Sequence, residues 1–470
     1  MRGHSMSSTD RATVVPQDRH LRQRNAHNAV RPFRMAVVGI GGFADLHHLA
    51  LARLENEREV QMLATCDPAL NSLAAQCEAH RFGERGVSTY TDIATLLSRH
   101  AHELDAISIS SPIPFHQEHH RMSVGHQIAC YLEKPPTLDP AELESMIATD
   151  LLAAHPSAVG FNHISQPWRL RLKKRILAGE FGSLVEVGFA GFWRRPIGYF
   201  VRNGWAGKLL FGEKILLDSC CGNAMSHYLH NMLFHAGTRG LWEWARPTGV
   251  TAELYRANDI ESPDTIFARG TLDEGIRFRI IATHACETRQ RQREIIQCED
   301  ALIEIPEDGC GTITWRDGTI ESFSAASLPA PTLLRENLQE YFAFLTGDRS
   351  RPSSTLADCR AFVSLNSRLY LSSPCIQRID DAHLSLLAAD DFGGVTLIIP
   401  DIEQTGEDFL LDGRLPSEKG VEWAMEGSSA CISSETAPNL LRQRITHLQA
   451  SSRENPIRNL NSIQRARRKH

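Results

Sequence analysis

Long apolar runs are missing from this 470-residue chain. No stretch approaches the roughly 18–20 uninterrupted apolar residues needed to cross a bilayer, so a helical membrane protein is excluded and no membrane partner is expected. Glycine (32) and proline (22) are too few for a fibrous or low-complexity chain. The first 34 residues carry charge throughout and no apolar core, so no Sec-type signal is read there and a cytoplasmic location is expected. Neither C-x-x-C nor H-E-x-x-H occurs. The nearest string, His116-Gln-Glu-His-His120, lacks the ligand order, and no metal is expected. The eleven cysteines are odd in number and several lie in apolar runs, which reads as reduced, partly buried thiols.

Charge is unevenly placed. The net charge is −6, but residues 1–34 carry +5 and residues 441–470 carry +7, leaving the body at −18. An acidic body offers no basic face to phosphates, so no nucleic-acid partner is expected. The tails, 1–33 and 429–470, read as basic and disordered.

From Met35 apolar runs alternate with helical spacing: MAVVGI, VQMLATC, GVSTY, AISIS, QIACYL and SAVGF are separated by segments such as LALARLEN and AELESMIATDLLAA. Strand–helix alternation of this length predicts βαβ units, a parallel sheet and a doubly wound α/β domain over 34–157. Gly39-Ile40-Gly41-Gly42-Phe43-Ala44 lies where the first strand hands over to a helix and fits G-x-G-x-x-[G/A]. The first glycine permits the tight turn, the second lets backbone N–H groups approach a pyrophosphate, and Ala44 allows close helix packing. Asp67 lies 28 residues after Gly39, at the end of the second strand. A carboxylate there accepts from ribose hydroxyls and repels a 2′-phosphate, so NAD is favoured over NADP.

A longer pattern follows. A strand ends in Ser111-Pro112, His116 opens a helix, and the next strand ends in Glu133-Lys134-Pro135; Gly160-Phe161-Asn162-His163 comes later. Together with the glycine turn this resembles the Gfo/Idh/MocA family, which includes glucose–fructose oxidoreductase and inositol dehydrogenase, over about 34–375. The resemblance implies a Rossmann dinucleotide-binding domain followed by an α+β domain with a mostly antiparallel open sheet. It also implies that Ser111, Pro112, His116, Glu133, Lys134 and Asn162 lie at the cofactor, with Lys134 touching substrate. The family's Asp-x-x-x-His falls on Asn223 and His227 in CCGNAMSHYLHNMLFHAG, with His230 in a later acidic position. Residues i and i+4 share a helical face, so Asn223 and His227 are expected to face the substrate together. Lys134 and His227 are the candidate proton-handling groups. Asn223 orients without supplying charge, which puts redox competence in question.

Residues 191–219 concentrate Trp193, Arg194, Arg195, Tyr199, Arg202 and Trp205, a composition suited to a polyol or sugar bearing an acidic or phosphate group. Residues 248–322 read as successive strands without helices, completing a second domain over 158–375. One face of that sheet needs a cover, for which another subunit of a dimer or tetramer is expected. Residues 376–428 read as an extension packed on the body. The function expected is NAD-dependent oxidation or reduction of a secondary alcohol of a sugar, polyol or derivative. Two alternatives stay open: a redox-neutral lyase or glycoside-cleaving cycle on tightly held NAD, and an NAD-binding regulatory protein.

Overall fold

Six short runs in the first third of the chain pair as one parallel sheet in the order β3-β2-β1-β4-β5-β6: β1 (Phe33–Val38), β2 (Val60–Cys66), β3 (Ser88–Tyr90), β4 (Ala106–Ile109), β5 (Ala129–Leu132) and β6 (Ala158–Val159). The structure is a computed structural model that describes residues 31–390, 393–425, 430–432 and 438–453. Residues 1–30 and 454–470, expected to be disordered, lie outside the described residues. Every residue of β4 and β5 is buried, because helices cover both faces of the sheet. Those helices are α1 (Ala44–Asn56), α2 (Ala74–Ala79), α3 (Ile93–His100), α4 (His116–Gly125) and α5 (Pro140–Asp150). Asp92 caps α3 by accepting from the Thr95 amide. Asp139 caps α5 by accepting from Ala141, with Pro140 in the first turn. Strand order reverses between β1 and β4, which opens a crevice at their C-terminal ends.

Beyond α6 (Pro167–Leu177) the strands are β7 (Leu184–Phe192), a separate hairpin of β8 (Leu210–Phe211) and β9 (Lys214–Ile215), β10 (Pro247–Arg256), β11 (Thr265–Leu272), β12 (Arg277–Thr283), β13 (Arg291–Cys298), β14 (Ala301–Pro306), β15 (Cys310–Trp315), β16 (Ile320–Ser324) and β17 (Ile376–Arg378). Nine of them form a sheet in the order β16-β15-β14-β13-β7-β12-β11-β10-β17. Only β7–β12 and β10–β17 pair in parallel. The inner face packs on α6, α8 (Ser226–Ala236) and α10 (Arg360–Ser372), with Val187, Phe189 and Ile280 meeting Leu229, Leu233 and Leu369 in one core. A one-turn helix, α7 (Ile197–Phe200), interrupts the β7–β8 loop.

Three features differ from the sequence reading. First, α9 (Ala330–Leu345) packs on the first domain: Leu334, Leu338 and Phe342 share a core with Leu51 and Leu54 of α1, and Phe342 stacks on Phe33 at 4.5 Å. Second, residues 376–425 supply the cover for the outer sheet face that a partner subunit was expected to provide. Past the hairpin of β18 (Ser385–Leu387) and β19 (Thr396–Ile398), α11 (Ile402–Asp412) and Trp423 bury Phe192, Tyr255, Phe267 and Ile281. Third, residues 438–453 of the supposedly disordered tail form α12 (Pro438–Arg453). Leu441, Ile445 and Leu448 recur at helical spacing, and this single apolar stripe packs with α10 in the main core despite its polar surroundings.

Candidate active site

The glycine turn sits at the crevice. Gly39 has φ +113° and Gly42 φ +64°, angles that side-chain-bearing residues rarely adopt. A Cβ on Gly39 would lie 3.1 Å from the Ala44 Cβ, and one on Gly41 3.2 Å from Leu73, so backbone and helix approach as closely as glycine permits. Among the described residues no oxygen accepts from the amides of Gly41, Gly42 or Phe43, leaving N–H groups at the head of α1 free for an anion. Asp67 accepts from the Ile40 amide at 3.0 Å and the Ala69 amide at 2.9 Å, which fixes its carboxylate against the turn. The free amides, the absent side chains and this half-buried carboxylate fit a pyrophosphate and an adjoining ribose.

Glu133 and Lys134 end β5 in the same crevice. The Glu133 carboxylate is buried, accepting from the Lys134 amide at 3.0 Å and lying 3.0 Å from His47 Nε2. Ser108 of β4 lies 2.8 Å from His47 Nδ1, so Ser108, His47 and Glu133 form a buried relay that holds the strand end. His47 and Ser108 escaped the sequence reading because α1 and β4 show them only as positions in apolar patterns. His116 Nε2 lies 2.7 Å from the Ser111 carbonyl and Nδ1 3.1 Å from that of Pro136, tying the ends of β4 and β5 together. Carbonyls on both sides favour a charged ring, but burial is the larger effect and lowers its pKa. The Ser111 hydroxyl is 2.9 Å from His119 Nδ1, and Pro112 is exposed at the rim. Phe43, 51 % exposed, places its ring 6.0 Å from the Lys134 ammonium.

The Lys134 ammonium donates to the Asn223 carbonyl at 3.2 Å, joining the first domain to the second. Asn223 does not share an α-helical face with His227. It lies in a π-turn, Cys220–Ala224, where the Met225 amide reaches back to the Cys220 carbonyl, and α8 starts only at Ser226. The wider turn directs the Asn223 amide to the Asp218 carboxylate at 2.8 Å. The Gly207 amide donates to the other oxygen of Asp218 at 2.7 Å. A carboxylate is therefore present after all, from five residues upstream of the position where the resemblance placed one. Burial raises the pKa of Asp218, opposed by these two donors and by the fields of Arg202 and Lys134. Burial lowers that of Lys134, opposed by Glu133 and Asp218.

His227 stacks on His163 with ring centroids 4.1 Å apart and planes 10° from parallel. Nδ1 of each ring is buried without a hydrogen-bond partner among the described residues. Burial, and then the neighbouring His163 and Lys134, hold the His227 pKa well below its ordinary value, so the ring is neutral. His163 is pushed down to about 3, chiefly by burial. His163 was within the quoted motif, but its partner lies 64 positions away and nothing in the sequence links the two. His230 stacks on Phe161 at 4.0 Å in the core, away from the cleft. Asn162 opens the 3-10 turn Asn162–Ser165 beside them; its side-chain amide makes no hydrogen bond among the described residues.

The β7–β8 loop forms the outer wall. Trp193 meets Tyr228 edge-on at 5.8 Å and donates to Gln292 at 2.9 Å. Arg195 lies over Trp193 and Tyr199, and Arg202 over Tyr199 and Trp205. Contacts thus run from Lys134 through Asn223 to Asp218, and from His227 through His163, Tyr228 and Trp193 to Arg195, Tyr199, Arg202 and Trp205. The extension steadies this loop through the Arg194–Asp390 ion pair, 2.6 Å, and the Ile197 amide donating to the Val395 carbonyl.

The glycine turn with its free amides, and Asp67 beside it, fit a dinucleotide at the crevice of the first sheet. Residues 33–158 match the family model described as "Oxidoreductase family, NAD-binding Rossmann fold", GFO_IDH_MocA. A D-glucoside 3-dehydrogenase of Escherichia coli (strain K12) is 30% identical over 155 residues, which are 33% of this chain and 41% of that protein. Among solved structures, the WlbA dehydrogenase from Bordetella pertussis, in complex with NADH and UDP-GlcNAcA, matches with a TM-score of 0.59 and 20% identity over 73% of this chain and 96% of that one. UDP-N-acetylglucosamine 3-dehydrogenase GnnA from Acidithiobacillus ferrooxidans matches with a TM-score of 0.56 and 18% identity over 72% and 97%. Both domains therefore share the fold of these two dehydrogenases. Among the described residues no helix is long and apolar enough to cross a membrane.

Proposed function

We propose that the chain is an NAD-dependent dehydrogenase acting on a secondary alcohol of a sugar, polyol or derivative. The observation that carries this reading is the 3.2 Å hydrogen bond from Lys134 to the carbonyl of Asn223, which brings the amine at the end of β5 to the start of the segment carrying His227. The D-glucoside 3-dehydrogenase relative supports a sugar hydroxyl as the reacting group. NAD held at the Gly39–Ala44 turn and Asp67 would supply the hydride acceptor, and NADH the hydride donor. The neutral His227 takes the hydroxyl proton at Nε2, and the Lys134 ammonium stabilises the negative charge left on the oxygen. Asp218 holds Asn223 in place, and through it the Lys134 contact. Asn162 and Asn223 position ligand, and Trp193, Tyr199, Arg202 and Trp205 face the sugar.

Absorbance at 340 nm with a panel of sugars and NAD tests the reaction. Lys134→Ala is expected to lower turnover by roughly two orders of magnitude or more; an active variant demotes Lys134 to scaffold. Product formed with no net change at 340 nm assigns the redox-neutral cycle instead. NADH binding with no turnover of any sugar assigns a regulatory role. We infer a cytoplasmic enzyme. Because residues 376–425 cover much of the outer sheet face, we assign subunit pairing to β14–β16, where Ile320 is 65 % exposed. Sedimentation at a monomer mass at micromolar concentration removes that assignment.

A further inference from the structure

Two guanidinium groups converge on one phenol ring in the outer wall of the cleft. The Arg202 guanidinium lies 3.7 Å from the Tyr199 centroid, and that of Arg195 lies 5.2 Å from it. Second rings back each cation, Trp205 at 5.3 Å for Arg202 and Trp193 at 5.6 Å for Arg195. Aromatic faces hold guanidinium planes in place but do not neutralise them. Neither arginine has a carboxylate ion-pair partner among the described residues. Arg202 donates to the Tyr199 carbonyl, Arg195 reaches the Arg194 carbonyl at 3.4 Å and the neutral Tyr199 hydroxyl, and its Nε is buried without an acceptor. Neighbouring arginines differ: Arg194 pairs with Asp390 at 2.6 Å, and Arg293 is paired with Glu304 at 2.8 Å. The carboxylate that faces this wall, Asp218, already accepts from Gly207 and Asn223 and is committed to the catalytic side. Two like charges held together on rigid aromatic supports, with no ion pair of their own and with Asp218 the one carboxylate facing them, are arranged to receive an anion from outside.

We propose that Arg195 and Arg202 form an anion subsite, selecting sugars that carry a carboxylate or phosphate away from the reacting hydroxyl. This rests on the dehydrogenase reading for its location, since the same loop walls the cleft that holds Lys134 and His227. Planar guanidinium forks bind either oxyanion bidentately, and the anion's charge rather than its shape sets the preference for it over a neutral sugar.

Three matched probes test the subsite: methyl glucoside, methyl glucuronide and methyl glucoside 6-phosphate, which differ only at C6. Turnover is read at 340 nm with NAD, and binding by calorimetry on the NADH-loaded full chain. At least one anionic probe is expected to exceed the neutral one by roughly tenfold or more in kcat/KM, mostly through KM, with the advantage falling as salt rises. The stronger of the two anionic probes identifies carboxylate or phosphate. Arg195→Gln and Arg202→Gln are expected to collapse the anionic-to-neutral ratio, and Arg202→Lys to keep part of it. Equal use of all three probes by the unaltered protein, or a ratio unmoved by both glutamine variants, overturns the subsite and leaves the dehydrogenase reading standing. Arginine-dependent binding of an anionic probe without any 340 nm change keeps the subsite and overturns the dehydrogenase. No binding of either anionic probe to the NADH-loaded protein also overturns the subsite.

Discussion

Replacing Asp67 with alanine separates the ribose-binding role of this carboxylate from its role in the turn. In the structure one oxygen accepts from the Ile40 amide at 3.0 Å and the other from the Ala69 amide at 2.9 Å. An ionised carboxylate offers about four lone-pair sites, so about two remain for ribose hydroxyls. A hydrogen bond to a charged group is worth about 1.5–3 kcal/mol. Losing one raises the Kd for NADH by roughly 10- to 150-fold at about 1.4 kcal/mol per factor of ten. NADPH makes no such bond; its 2′-phosphate faces the same negative charge, and removing that charge leaves its affinity equal or better. The substitution also deprives the Ile40 and Ala69 amides of their acceptor, but any loosening of the turn weakens both nucleotides alike. The selectivity ratio therefore isolates the ribose contact. Fluorescence titration of NADH and NADPH into the purified variant measures it, and equal losses for the two nucleotides refute the assignment.

The first domain was legible because its strands are buried on both faces. AISI and ACYL are buried at every position and mostly apolar, and the glycine turn follows β1 where its backbone approaches α1 most closely. The second sheet was legible from its runs of strands without helices. Tertiary choices were not. Nothing local in α9 says that Leu334 and Phe342 pack on α1 of the other domain, because an amphipathic stripe does not name its partner. In α12 three buried residues, Leu441, Ile445 and Leu448, were outweighed by polar and basic neighbours in any compositional reading.

At the site, spacing singled out Lys134, Asn223 and His227 but gave no sign of Asp218. Counting four residues from Asn223 to His227 assumes an unbroken α-helix, and the π-turn at Cys220–Ala224 adds a residue to the turn and redirects the Asn223 side chain. The carboxylate comes from Asp218, before the turn and outside any periodic pattern. The chain keeps a negative charge within reach of Lys134 while the position beside His227 is neutral. With no anion beside His227 to stabilise its protonated form, the imidazole is held neutral, in keeping with its lowered pKa.

Other consequences are open to direct measurement. Gly39→Ala places a side chain at φ +113° and 3.3 Å from the Ser110 carbonyl oxygen, so about 1–3 kcal/mol of stability should be lost together with NADH binding, read by denaturation and titration; a variant that binds NADH normally contradicts the turn's role. Glu294→Gln breaks the buried bidentate pair with Arg169, at 2.6 and 2.8 Å, and leaves a guanidinium 2 % exposed without its counter-ion. About 3–5 kcal/mol should be lost, seen as a lower urea midpoint. Lys173 gives a pH signature. Its fully buried ammonium donates to the carbonyls of Phe234 and Gly237 at the end of α8, and burial lowers its pKa from 10.5 to about 7. Between these values the unfolded lysine holds a proton that the folded one has released, so this group makes stability rise with pH, and below about 7 the folded state must carry a buried charge. Lys173→Met removes that contribution while preserving much of the volume. The unfolding free energy of the unaltered protein minus that of the variant should therefore increase from about pH 6.5 to about pH 8.5, upward from the folded value of about 7. A difference that is flat or falls across that range means the amine stays charged at the end of α8, with the two carbonyls and the helix dipole outweighing burial.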